Sequence, residues 1–201
     1  MDNQKEYNIS GIQQIGIGVA DVREAWKWYI SQFGTDIRIF EDEAVAGLML
    51  PYTDGKPRKR LAALAINMQG GGGFEIWQYK DRVPQPPAQP IKLGDLGIFT
   101  VKIKSHDVRK TYEAYLSKGL KASQPGISPD GLENFFITDP YNNLFQVVAG
   151  NSWFMNENKH TGAAYGAIIG VSDMEKSISF YRGILGYNEI IYDNTGKFSD
   201  F

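Results

Sequence analysis

The chain contains no cysteine, which removes disulfides, thiolate metal ligands and a cysteine nucleophile, and fits a reducing compartment. Histidine is nearly as scarce, with only His106 and His160. A Ser-His-Asp triad needs one histidine well placed, and an iron triad of two histidines and a carboxylate needs two together. His106 stands at a helix entry and His160 in a polar linker, where capping or solvent-facing duty is the simpler reading, so dioxygenase chemistry is disfavoured. An excess of one charge is also missing. Twenty-one Lys and Arg face 23 Asp and Glu, for a net charge of −2, so no global field draws in nucleic acid or an anionic membrane. The single basic run, Lys56-Pro57-Arg58-Lys59-Arg60, adjoins Gly55 in a turn and reads as a solvated loop. No apolar run approaches the roughly 18 residues that span a bilayer, and the opening MDNQKEYNIS is polar where a signal peptide needs an apolar core. The expectation is a cytoplasmic protein without nucleic-acid or membrane partners.

What the chain does have is a core-forming composition, 42% hydrophobic with 13% aromatic, and a repeat. IGVADVREAWKWYISQFGTDIRIFED at 17–42 aligns without a gap on IGVSDMEKSISFYRGILGYNEIIYDN at 169–194, sharing Ile17/Ile169, Gly18/Gly170, Val19/Val171, Asp21/Asp173, Tyr29/Tyr181, Gly34/Gly186 and Ile39/Ile191. A fainter copy, VKIKSHDVRKTYEAYLSKG at 101–119, keeps Asp107 as far before Tyr115 as Asp21 is before Tyr29. Such self-similarity is the mark of one structural unit used several times.

Within the first unit, Ile15, Ile17 and Val19 alternate as in a half-buried strand. Asp21 is a helix cap with Glu24 three positions on, as in a capping box, and Val22, Ala25, Trp26, Tyr29, Ile30 and Phe33 form an apolar stripe that Gly34 terminates. Strands follow at 37–40, 60–68 and 74–79, with an excursion at 44–59 between them. The second unit repeats the order: a strand at 96–103, a helix at 107–117, and strands at 120–123, 133–138 and 144–149, the last two joined by the turn Asp139-Pro140-Tyr141-Asn142-Asn143. A third has a strand at 165–171, a helix at 173–185 and a strand at 187–193, then ends in TGKFSDF without its last two strands, as expected of a fragment of a longer protein or of a natural partial unit that packs on the first two or on a second copy of the chain. The predicted organisation is an α+β protein of βαβββ modules: module one at 1–82, a Pro-rich linker at 83–91, module two at 92–150, a linker at 151–162, and a partial third module at 163–201.

These words resemble the vicinal oxygen chelate superfamily, the glyoxalase, bleomycin-resistance and extradiol-dioxygenase group. The resemblance rests on IGIGVADV at 15–22, AWKWY at 25–29, Phe33-Gly34, and FITDPYNNLFQ at 136–146, which together touch almost the whole chain. It implies curled mixed sheets that pair around a cleft, with ligands of one divalent metal ion (Ni, Zn, Mn or Mg) supplied by the first and last strands of each module. Carried over, those positions are Gln14 and Glu75 in module one, and Ile98 and Gln146 in module two, with Lys104-Ser105 read as an insertion. The family commonly has Glu where Gln146 stands, so one carboxylate and two amides form a weak metal site. Gly166 at the corresponding place in module three adds no donor.

The resemblance further implies a small-molecule ligand held between modules one and two. It points to a metal-dependent lyase or isomerase, lactoylglutathione lyase-like, in which Glu75 moves the proton. Two alternatives stand beside it: a non-catalytic sequestering protein of the bleomycin-resistance type, and a structural module that assembles with other units, including as a homodimer. Glu75 also has a plain reading as a solvent-facing strand residue. Trp77, Trp153 and Phe154 are read as core ahead of ligand wall. Gly70-Gly71-Gly72-Gly73 lacks the Lys-Ser/Thr of a phosphate loop and reads as a flexible hairpin that could serve as a lip over the cleft.

Overall fold

The computed structural model describes residue 9 and residues 11–197; most of the polar opening stretch and the last four residues lie outside the described residues. Module one comprises β1 (Gln14–Gly18), α1 (Val22–Phe33), β2 (Ile37–Ala46), β3 (Arg58–Asn67) and β4 (Gly72–Tyr79). Module two comprises β5 (Gly97–Ser105), α2 (Val108–Ser117), β6 (Gly126–Ile127), β7 (Glu133–Thr138) and β8 (Leu144–Ala149). Module three contributes β9 (Thr161–Gly170) and α3 (Met174–Gly183).

Every helix starts on the aspartate that the repeat singles out. The Asp21 carboxylate accepts from the amides of Arg23 and Glu24, Asp107 from that of Lys110, and Asp173 from that of Lys176. A carboxylate there satisfies amides that have no partner inside the helix. The Glu24 carboxylate does not close a capping box; it takes the Lys27 ammonium at 2.7 Å, because a cation one turn on is the stronger partner. Gly34 ends α1 at φ 65°, a left-handed conformation that glycine adopts at little cost.

Two expected strands are absent. The segment expected at 120–123 makes one isolated bridge, Ala122 to Ile137, and the short β6 farther on pairs with β7 instead. The segment at 187–193 forms no strand, since among the described residues no strand follows β9 to give it a ladder.

The strands make two mixed sheets, ordered β1-β4-β3-β2 and β6-β7-β8-β5-β9. In each, the first strand of the module runs parallel to its last, β1 with β4 and β5 with β8, the arrangement that a helical crossover permits. The second sheet then takes in β9, antiparallel to β5.

Modules one and two share one core. Phe74 of β4 and Phe145 of β8 lie 5.9 Å apart, and Phe33 of α1 sits 5.7 Å and 4.9 Å from them. Tyr29, fully buried, stacks on Phe33 and donates its hydroxyl to Asp139 Oδ2 at 2.6 Å. Tyr115 of α2 donates to the Gln32 carbonyl at 2.7 Å. The space between the two helix-covered faces is thus filled with rings, leaving the outer faces of the sheets for a ligand.

The glycine run is no lip. A Cβ on Gly70 would fall 1.7 Å from the Gly162 carbonyl oxygen, on Gly72 2.4 Å from that of Ala164, and on Gly73 2.0 Å from that of Ala65. Gly70 and Gly72 are glycine because β9 crosses the start of β4 at backbone contact, and Gly73 because it lies against the backbone of its neighbour β3. Next to them, buried Gln69 clamps the second linker, its Oε1 accepting from the amides of Glu157 and Lys159 and its Nε2 donating to the Lys159 carbonyl.

Candidate functional site

Side chains alternate across a strand. With Phe74 and Ile76 in the core, Glu75 and Trp77 turn to the outer face of the first sheet, and with Ile15 and Ile17 in the core, Gln14, Gly16 and Gly18 join them. There Gln14 Nε2 donates to Glu75 Oε2 at 2.9 Å. The two glycines between keep the surface bare: a Cβ on Gly16 or Gly18 would meet nothing within 4 Å. Trp77 is half-buried, with the Arg60 guanidinium 5.1 Å over its ring and Tyr79 edge-on at 6.1 Å. Arg60 is in turn held by Asp42 at 2.6 Å. The first module therefore presents a carboxylate and an amide in contact beside an aromatic and cationic wall.

Gln146 is placed on a different face. Its neighbour Phe145 meets Phe74 in the core, so by the same alternation Glu75 and Gln146 sit on surfaces that look away from that core, and the structure brings together two of the three sequence-predicted ligands, not three. Gln146 is buried, donates to Asn134 Oδ1 at 2.9 Å, and has no partner at Oε1 among the described residues.

The register also corrects the fourth position. Glu75 pairs with Gly16, and Gln146 pairs with Lys102, so Thr100, not Ile98, is the counterpart of Gln14, and Lys104-Ser105 is no insertion but the continuous end of β5. Thr100 is buried and spends its hydroxyl on the Leu144 carbonyl at 2.9 Å. Lys102 and Lys104 both point to this face, and burial lowers the pKa of each below the usual lysine range. Two lysine side chains on this face disfavour a cation, and the neutral amides bring no negative charge to offset them. The signal for Thr100 and Lys102 was present in the sequence: carrying Asp21 onto Asp107 without a gap carries Gln14 and Gly16 onto them.

His106 is exposed and stacks on Trp153 at 3.5 Å, and His160 is exposed in the linker. Phe154 is 67% exposed and so is not core. A pocket of 180 Å³ opens where the ends of α1 and α2 meet the linker, lined in part by Asp36, Lys118, Lys159 and His160. Its charges are engaged, Lys159 with Asp36 and Glu157 at 2.7 Å each and Lys118 with the Ser31 carbonyl at 2.9 Å.

Parallel first and last strands in each module, the 1-4-3-2 order and the capped crossover helix define the vicinal oxygen chelate fold. The solved structures that share it include a glyoxalase family protein from Bacillus cereus, 12% identical with a TM-score of 0.54 over 75% of this chain and 100% of that one. Another, from Enterococcus faecalis, is 15% identical with a TM-score of 0.52 over 69% and 97%. A glyoxalase I variant from Zea mays is 20% identical with a TM-score of 0.60, covering 88% of this chain but 56% of that one. No family model matches the sequence, and no curated protein does. No helix among the described residues is long and apolar enough to cross a membrane.

Proposed function

We propose that the protein binds a small organic molecule on the outer face of module one, together with a divalent cation held by Gln14 and Glu75, and acts on it as a lyase or isomerase of the glyoxalase type. The observation that carries this reading is the 2.9 Å contact between the Gln14 amide and the Glu75 carboxylate on a surface kept bare by Gly16 and Gly18. A half-turn of the amide presents its oxygen beside the carboxylate. One charged and one neutral oxygen donor fit part of the shell of Mg, Mn, Ni or Zn and leave positions for water or substrate oxygens. When bound, such a cation polarises a carbonyl and acidifies the adjacent C–H. Glu75 is then the carboxylate in place to take up the proton, and Trp77, Tyr79 and Arg60 supply the wall against which the organic portion rests.

A second reading, ligand sequestration without chemistry, is favoured by one observation: among the described residues no three His, Asp or Glu side chains gather as a metal cluster. Thermal melting separates the two. With EDTA and then with each of the four cations at millimolar concentration, the native state gains about 2.7 kcal/mol when the cation reaches a hundred times its dissociation constant, several degrees for a chain of this size. Glu75→Gln is expected to abolish the shift. No shift with any of the cations ends the metal reading and leaves the binder; a shift unchanged by Glu75→Gln puts the cation elsewhere.

A further inference from the structure

On the outer face of the second sheet one buried acceptor has no donor, and the amides beside it fix which atom that is. Asn134 Nδ2 donates to Ser128 Oγ at 2.8 Å and to the Gly126 carbonyl at 3.4 Å. Asn134 Oδ1 is therefore the atom turned to Gln146, and it accepts from Gln146 Nε2 at 2.9 Å. That bond leaves Gln146 Oε1 bare, on a residue only 2% exposed. Reversing the Gln146 amide would set two carbonyl oxygens against each other. A buried carbonyl oxygen without a donor is costly, and the O–H of a ligand is one group that removes the cost.

A cation stands next to it. Lys102 of β5 lies in register with Gln146 of β8, on the adjoining strand and the same face. Among the described residues its ammonium makes no hydrogen bond and no ion pair; Asp130 acts on it only from beyond ion-pair distance. Burial is the larger influence and lowers its pKa, as for a charge with no partner at contact. Lys104 is engaged by contrast, its Nζ donating to the Ser152 carbonyl at 2.8 Å and lying over the rings of Trp153 and Tyr165. On the other side of Lys102, β9 places Gly166, where a Cβ would lie 3.6 Å from Lys102 Cδ. The lysine stem thus rests on bare backbone, with no side chain at that position to hold it.

We infer that Lys102 and Gln146 form a binding site, separate from Gln14 and Glu75, for a small oxyanion that carries its own O–H, as a hydrogen phosphate group or a hydroxy carboxylate does. The charged oxygens accept from the Lys102 ammonium, and the O–H donates to Gln146 Oε1, which a swing of the lysine stem uncovers. Neither group selects this chemistry alone. An ammonium accepts any anion as partner, whereas the bare carbonyl oxygen repels an anion that has no hydrogen to offer.

Nitrogen-15 NMR of the whole chain in EDTA, at constant ionic strength, tests this with two matched pairs of probes: phosphate against sulfate, and glycolate against acetate. Phosphate keeps a proton at neutral pH and glycolate has its hydroxyl, while sulfate and acetate offer acceptors only. Titration with phosphate or glycolate is expected to move the side-chain amide signals of Gln146 and Asn134, with an affinity about tenfold above that of the matched anion. The pair that shows the preference identifies phosphate or hydroxy acid as the chemistry recognised. Lys102→Gln is expected to lower that affinity by about tenfold or more. Gln146→Met keeps the charge and removes the acceptor, so each pair should then bind equally. If that buried variant does not fold, Lys102→Gln, which leaves the bond between Gln146 and Asn134 in place, decides together with the matched pairs. The inference is overturned if no probe moves those signals, if sulfate and acetate match their partners in the unaltered chain, or if Lys102→Gln leaves the affinity unchanged. With EDTA present throughout, the result does not depend on whether Gln14 and Glu75 hold a cation.

Discussion

Tyr29 joins the two modules through a single hydroxyl. Its ring lies among Phe33, Phe74 and Phe145, and its proton goes to Asp139, whose other oxygen lone pairs take the amides of Tyr141 and Asn143 and the Asn143 side chain. Burial first, and the Asp139 charge second, push the Tyr29 pKa far above its ordinary value of 10; burial does the same to Tyr115. A group whose folded pKa is raised contributes fully below its unfolded pKa and loses that contribution as pH climbs past it. Stability measured by urea unfolding is therefore expected to be flat in these two groups up to about pH 10 and to fall above it. Tyr29→Phe should cost about 1–2 kcal/mol at neutral pH by leaving Asp139 one donor short, with unchanged m-value, and should reduce the alkaline slope. The Tyr was legible in the sequence as one of seven shared positions, but only as an apolar member of a helix stripe. Its partner sits in a turn of another module, and no local pattern connects them.

At the scale of elements, the aspartate caps and the period-two strands could be read from the chain, since both depend on residues within a turn or two of one another. Glycine composition could not be read so well. Four glycines in a row look the same whether they serve flexibility or close approach, and for Gly70 and Gly72 the difference lies in β9, some ninety residues away. Gly72→Ala should force the Cβ against the Ala164 carbonyl and destabilise by about 1–3 kcal/mol, whereas Gly16→Ala, with open space, should leave the melting temperature nearly unchanged. Equal effects in the two variants would mean that the crossing of β4 and β9 is looser than described. The expected strand at 187–193 failed for a related reason: it falls where β2 falls in the repeat and shares Ile191 with Ile39, but a strand needs a neighbour, and propensity does not provide one.

For the whole molecule, the repeated βαβββ units could be read from the sequence. Grouping Gln146 with Gln14 and Glu75 assumed that the first two modules face each other across a cavity, while the apolar stripes of α1 and α2 in fact turn the modules' covered faces together. Stability is correspondingly uneven. Both α1 and α2 bury four residues each, and α3 buries none, with Phe180 and Ile184 49% and 68% exposed. Amide hydrogen exchange followed by mass spectrometry should find α3 exchanging orders of magnitude faster than α1, by local opening that spares the shared core; equal protection would show that something covers α3 in solution.

The Gln69 clamp bears on how the third module is attached. The residue's carbonyl accepts from the amides of Phe154 and Met155, and its side chain holds Glu157 and Lys159, while β9 runs the length of β5. Peptide continuity between 149 and 154 is therefore the least of the ties on that module, and a nick there would leave two polypeptides behaving as one body.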